Sequence, residues 1–179
     1  MLTMWGFSTE NFQRNSNEIS KLFGLFEKDL ITTITRKDDL LRKDVRIQFL
    51  GRTNFFPKKI SDMFAKVEEM TRGAKKYSLN LLLAYGGRTE IVDAVNSIIR
   101  DGITKVDEEI LSSHMYTAGF PEPELVIRTS GAKRLSGFLP WQTVYSELYF
   151  SEKLWPDFSR EDFTDALKFY EKAQRRFGK

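Results

Sequence analysis

Short, nearly continuous apolar runs alternate with longer amphipathic ones along this chain, and the two periods predict different elements. The runs at residues 2–7, 45–50, 79–84 and 125–128 are bounded by polar residues or glycine and predict buried strands. A further extended run falls near 147–150. Between them, apolar residues recur every three or four positions. Residues 17–41 predict a helix with the stripe Ile19, Leu22, Phe23, Phe26, Leu30 and Ile34. Residues 58–76 predict a second, carrying Ile60, Met63, Phe64 and Val67, and residues 89–100 a third, with Ile91, Val92, Val95 and Ile98 as its inner face. A short helix near 108–115 and a last one over 159–176 complete the chain. Strands alternating with helices, and apolar along most of their length, predict an α/β fold with a mostly parallel sheet flanked by helices on both faces. No repeat, low-complexity tract or linker interrupts the pattern, so 1–179 is expected to form a single domain. Leu2, Met4 and Phe7 need cover with no element ahead of them, so the first strand is expected to lie inside a larger fold. The alternative is an edge strand that starts early.

Composition removes several classes of chemistry. The chain has 179 residues, 30% of them charged, and a mean hydropathy of -0.40, the profile of a soluble domain with a real core. It contains no run of eighteen apolar residues and no signal-peptide pattern. The cysteine count of 0 excludes disulfides, thiolate catalysis and Cys-ligated zinc, and fits a reducing cytoplasm. The 28 basic and 25 acidic residues leave a net charge of +3, too mild to call for nucleic acid. A single histidine, His114, rules out a His-rich metal site or a Ser-His-Asp triad within the chain, and reads as a surface helix residue.

Candidate chemistry gathers where the strands end, which is where open parallel sheets bind ligands. Ser8, Thr9, Glu10, Asn11 and Arg14 follow the first strand, and Gly51, Arg52, Thr53 and Asn54 the second. Tyr85, Gly86, Gly87 and Arg88 follow the third, and Arg128, Thr129, Ser130, Gly131, Arg134 and Ser136 the fourth. Arginine offers a planar donor fork suited to phosphate, so an arginine near every strand end predicts a large anionic site, sized for two diphosphates. Glu147, set in an apolar segment, needs a cation partner. Phosphate together with a carboxylate suggests Mg²⁺. Neither GxxxxGKS/T nor GxGxxG occurs, so the phosphate site must be built from side chains.

The motifs GFSTENFQR (6–14), FLGR (49–52), LAYGGR (83–88), RTSG with Arg134, Ser136 and Glu147, LWPDF (154–158) and RRFG (175–178) occur in this order. Together they resemble the cis-prenyltransferases, the undecaprenyl and polyprenyl diphosphate synthase family, from Leu2 to the C-terminus. The resemblance implies condensation of isopentenyl diphosphate with an allylic prenyl diphosphate, using Mg²⁺ as cofactor. By position it implies that Arg128, Arg134 and Ser136 bind the isopentenyl diphosphate group and that Glu147 is a metal ligand. It implies that Ser8, Asn11 and Arg14 orient the reacting ends of the substrates, a catalytic role, and that Arg88 supports the allylic diphosphate. It further implies a homodimer in which Arg176 and Gly178 reach the partner's isopentenyl diphosphate site, and a cytoplasmic protein that delivers product at the membrane. The helix over 17–41 resembles the wall of the product tunnel.

Two departures from the family pattern stand out. The histidine-x-methionine-aspartate-glycine-asparagine-x-arginine motif, with its Mg²⁺-binding aspartate, does not occur in the sequence. Residues 132–133 are alanine and lysine where the family places a glutamate after the glycine. The chain alone is therefore expected to turn over little. An alternative is a non-catalytic subunit of a heteromeric cis-prenyltransferase, but such subunits tend to lose the substrate arginines that remain here. A nucleotide- or phosphosugar-binding α/β domain is a third reading, disfavoured because no glycine fingerprint is present.

Overall fold

Strand β3 (Tyr77–Tyr85) lies between β1 (Leu2–Ser8) and β2 (Val45–Leu50) in the computed structural model, which describes residues 1–173, and all three strands are parallel. A second parallel pair joins β4 (Leu125–Arg128) to β5 (Glu147–Phe150). The sheets belong to two compact units, Met1–Thr117 and the residues from Ala118 on. The predicted α/β class and the parallel strand sense are both present.

In the first unit the helices are α1 (Ser16–Thr35), α2 (Lys37–Lys43), α3 (Lys58–Thr71), α4 (Gly87–Arg100) and α5 (Glu108–Ser113). The core is aromatic. Phe7 of β1 and Phe56 are almost fully buried and touch one another, and Phe12, Phe23 and Phe26 close around both. Phe64 of α3 stacks on Phe49 of β2. Apolar faces of α1 and α3 thus meet over the sheet, and burying several aromatic side chains there is the main stabilising term of this unit. Central strand β3 also carries a buried polar residue, Asn80, whose amide donates to Thr3 on β1 while its oxygen accepts from Ser78.

Three predicted elements come out differently. The single helix over 17–41 is two, broken at Arg36. Thr32, Thr33 and Thr35 donate their hydroxyls back to the carbonyls of Lys28, Asp29 and Ile31, a pattern that bends and weakens a helix end. The helix over 58–76 stops at Thr71, where Arg72 and Gly73 lead into β3. On α4, Val92 and Val95 are exposed, and the buried stripe is Glu90, Ala94 and Ile98. The predicted inner face was wrong by part of a turn because a carboxylate takes the place of an aliphatic side chain.

In the second unit, α6 (Arg160–Lys172) covers one face of the strand pair through Phe169 on Tyr149. Ser159 caps it, accepting from the Asp162 N–H, while the Asp162 carboxylate accepts from the Ser159 N–H. The helix runs to Lys172 and Ala173 is extended, and the remainder of the predicted 159–176 lies outside the described residues.

Candidate active site

The first unit gathers three strand ends on one edge of its sheet. After β1 the chain enters a short 3₁₀ turn (Thr9–Gln13), and the Ser8 N–H donates to Asn11 Oδ1 at 2.8 Å. Ser8 and Asn11 are both half-buried and line a shallow depression with Trp5, Gly6 and Phe7. Arg14 N–H donates to the Asn11 carbonyl, but its guanidinium pairs with Glu18 at 2.5 Å, one turn into α1.

The exit of β3 packs directly against this loop. A Cβ on Gly86 would sit 2.9 Å from the Thr9 hydroxyl, so only glycine lets the two turns approach without a shift. Gly86 and Gly87 are buried, α4 starts at Gly87, and Arg88 stands exposed in its first turn.

The exit of β2 is drawn tightly against β3. Gly51 has φ +115°, and a Cβ there would lie 2.2 Å from the Leu83 carbonyl oxygen. Arg52, which the sequence offered as a phosphate ligand, instead closes a two-pronged fork on Asp93 of α4, with Nε to Oδ2 at 2.9 Å and Nη2 to Oδ1 at 2.7 Å. The Tyr116 hydroxyl donates to the same carboxylate. The Arg52 bonds hold the Asp93 carboxyl below the usual carboxylate range, against the opposing effect of burial. Burial, reinforced by the Asp93 charge, raises the Tyr116 phenol. Beside this group, Glu90 accepts from the Tyr85 hydroxyl at 2.5 Å and from the Tyr116 N–H at 3.0 Å, which satisfies a carboxylate only 1% exposed.

The second unit brings Arg128, Arg134 and Ser136 together. Arg128, the last residue of β4, donates from Nη1 to Ser136 Oγ at 2.8 Å and to the Arg134 carbonyl. Arg134 Nε donates to the same hydroxyl at 3.2 Å. Two guanidinium groups therefore converge on one hydroxyl across a loop that takes positive φ at Ser130, Gly131, Ser136, Gly137 and Leu139. The Ser130 N–H donates to the Lys153 carbonyl at 2.7 Å and the Gly131 N–H to that of Ser151 at 2.9 Å, which ties the loop to the segment after β5. The arrangement can bind an oxyanion through the remaining guanidinium N–H groups.

Glu147 is not brought to this receptor within the unit. It pairs with Leu125 at the start of β5, whereas Arg128 pairs with Phe150. Three residues of strand separate the two levels, about 10 Å. Paired residues of parallel strands share a face and successive residues alternate, so Glu147 and Arg128 lie on opposite faces. Among the described residues, no group of three or more His, Asp or Glu side chains comes together as a metal cage. The predicted dimer residues Arg176 and Gly178 lie outside the described residues.

Sequence reasoning missed Asp93, Tyr116 and Glu90, and placed Tyr85 at a strand end without its carboxylate partner. The one available signal was a helix with Glu90 and Asp93 at i, i+3, a spacing that puts both on one side. His114 follows α5 directly, with its ring bonded to the Ile110 carbonyl and Asp101, and the Ile110 bond foremost raises its pKa.

Residues 1–178 match the prenyltransferase family model described as "Putative undecaprenyl diphosphate synthase". The chain is 43% identical over 187 residues to the tritrans,polycis-undecaprenyl-diphosphate synthase (geranylgeranyl-diphosphate specific) of Methanocaldococcus jannaschii, an alignment covering 100% of this chain and 66% of that protein. It is 44% identical over 177 residues to an isoprenyl transferase of Fusobacterium nucleatum, covering 99% of this chain and 75% of the relative. The chain thus spans roughly two thirds to three quarters of the length of these relatives. Among solved structures it is similar to a probable undecaprenyl diphosphate synthase from Campylobacter jejuni, with TM-score 0.87, 32% identity, and coverage of 99% of this chain and 83% of that one. It is also similar to lavandulyl diphosphate synthase from Lavandula x intermedia in complex with dimethylallyl diphosphate, with TM-score 0.89, 33% identity, and coverage of 99% and 78%.

Proposed function

Because the chain belongs to the undecaprenyl diphosphate synthase family of cis-prenyltransferases, we propose that it serves the condensation of isopentenyl diphosphate with an allylic prenyl diphosphate. The observation that carries this reading is the convergence of Arg128 and Arg134 on Ser136, which leaves further guanidinium N–H groups to donate to a diphosphate. In the reaction the allylic C–O bond breaks and diphosphate leaves with the electron pair. The isopentenyl double bond forms the new C–C bond, and a proton is lost from the neighbouring carbon. Arg128, Arg134 and Ser136 hold the isopentenyl diphosphate by its charged end. Ser8, Asn11 and Arg14 orient the reacting carbons, and Arg88 offsets charge on the allylic diphosphate. The family match runs through both units, which supports taking 1–179 as one functional domain.

Mg²⁺ in this family would supply charge to the leaving diphosphate. Glu147 lies on the face away from Arg128, and no group of three or more His, Asp or Glu side chains gathers among the described residues, which does not fit a metal shared between Glu147 and a diphosphate in the same unit's receptor. The reading therefore includes low turnover by this chain alone. It also includes a homodimer using Arg176 and Gly178, and product release at a membrane surface. None of the helices among the described residues is long and apolar enough to cross a bilayer.

The test is calorimetric titration of isopentenyl diphosphate into the full chain, with Arg128→Ala and Arg134→Ala as controls. Binding that disappears in both variants is the expected result, and unchanged affinity in both would remove the receptor. Incorporation of labelled isopentenyl diphosphate is expected to be slow, and robust turnover by the 179-residue chain would overturn that part.

A further inference from the structure

The turn Gly86-Gly87-Arg88 contains two buried glycines, which have no side chain to anchor it, so its neighbours help set its position. Arg52 grips it from both sides. Its main-chain N–H donates to the Ala84 carbonyl at 3.3 Å, before the turn, and its side chain forks onto Asp93 of α4, after the turn. A second bracket spans the same turn, because Glu90 accepts from Tyr85, the residue preceding it. Tyr116 joins the brackets, giving its hydroxyl to Asp93 and its N–H to Glu90. Ala84 itself is fully buried with φ +48°, a conformation non-glycine residues hold only where the surroundings over-determine it. The Arg52–Asp93 pair is partly exposed, 34% and 26%, so its Coulomb energy is screened and geometry is its main contribution.

We propose that Arg52, Asp93 and Tyr116 are positioning residues, which hold the start of α4 in the one placement that presents Arg88 to an allylic diphosphate. This rests on the reading of Arg88 given under the proposed function. It assigns the β2-exit arginine to positioning and not to phosphate binding.

The probe is inorganic pyrophosphate, titrated into the full chain carrying Arg128→Ala and Arg134→Ala so that only the first unit reports. Asp93→Asn, Tyr116→Phe and Arg52→Lys are each expected to weaken binding on the order of tenfold, the scale at which misplaced groups act. Arg52→Lys keeps the charge but not the fork, so wild-type binding in that variant would overturn the role of the fork. Asp93→Asn is expected to add nothing once Arg88→Ala is present, and an equal further loss in that background would overturn the proposal. So would wild-type binding in both Asp93→Asn and Tyr116→Phe, the latter a single-hydroxyl change that serves if Asp93→Asn fails to fold. If the parent does not bind pyrophosphate, or Arg88→Ala leaves its binding unchanged, the Arg88 reading fails instead. Amide hydrogen exchange over residues 87–91 then decides the network separately. Faster exchange in Asp93→Asn and Tyr116→Phe retains it, and unchanged exchange overturns it.

Discussion

Glu147 and Arg128 occupy opposite ends and opposite faces of the β4–β5 pair, although only eighteen residues separate them in the chain. The expected consequence is energetic independence in the metal-free protein. Arg128→Ala should abolish binding of isopentenyl diphosphate measured in the presence of a chelator, while Glu147→Ala should change it by less than about twofold, as for sites without shared partners. Parallel loss in both variants would show that the two side chains meet at one ligand.

Ser136 is the hub of the receptor, since its hydroxyl accepts from Arg128 and Arg134 alike. Replacing it with alanine removes the acceptor that both guanidinium groups share, leaving Arg128 its bond to the Arg134 carbonyl. Ser136→Ala is expected to weaken isopentenyl diphosphate on the order of tenfold, the worth of one or two net hydrogen bonds. The melting temperature should stay close to that of the parent, because the hydroxyl is exposed. Calorimetry beside a thermal melt checks both halves of this expectation.

The proximity of Arg128, Arg134 and Ser136 was legible in the sequence because it is local, all three lying within nine residues. Strands β2 and β4 were legible for a related reason: β4 opens on the apolar run Leu125–Ile127, and β2 alternates Val45, Ile47 and Phe49 with polar residues between positive-φ residues at Asp44 and Gly51. Arg52 was misread because its partner Asp93 lies forty-one residues away on another element, and nothing in a strand-end arginine says whether a carboxylate will reach it first. The inner face of α4 failed likewise. Glu90 is buried with hydrogen bonds from Tyr85 and Tyr116, and folding brings those partners to it. The roles assigned to Ser8, Asn11 and Arg14 came from family resemblance, whereas Glu147 was first read from a carboxylate set in an apolar segment.

Gly51 marks the closest approach of the β2 exit to β3, and its φ of +115° compounds the lack of room for a side chain. Gly51→Ala would drive a Cβ onto the Leu83 carbonyl, a backbone atom that cannot swing aside. A loss on the order of 3 kcal/mol is expected from overpacking and backbone strain together. Gly73→Ala is the matched control, since nothing lies within 4 Å of the added Cβ. Urea denaturation of the two variants should separate them clearly, and equal midpoints would mean that the β2 exit can relax.

Asp93 gives the first unit an acid-sensitive contact. Its folded pKa lies below the ordinary value, foremost because of the Arg52 fork, so the unfolded chain takes up the proton first as pH falls. The stabilisation from the pair is therefore complete above the unfolded carboxylate value of about 4 and is lost as pH drops through the lower folded value. For a partly exposed, two-pronged pair it should be on the order of 1 kcal/mol. Unfolding free energies of the parent and Asp93→Asn, measured by urea titration, are expected to differ by a constant amount above about pH 5 and to converge below about pH 4. The asparagine retains an oxygen for the Tyr116 hydroxyl, so this difference isolates the charge of the Arg52 contact from the rest of the network. A difference that stays level down to the acid transition would mean that Arg52 does not hold the carboxylate in its ionised form.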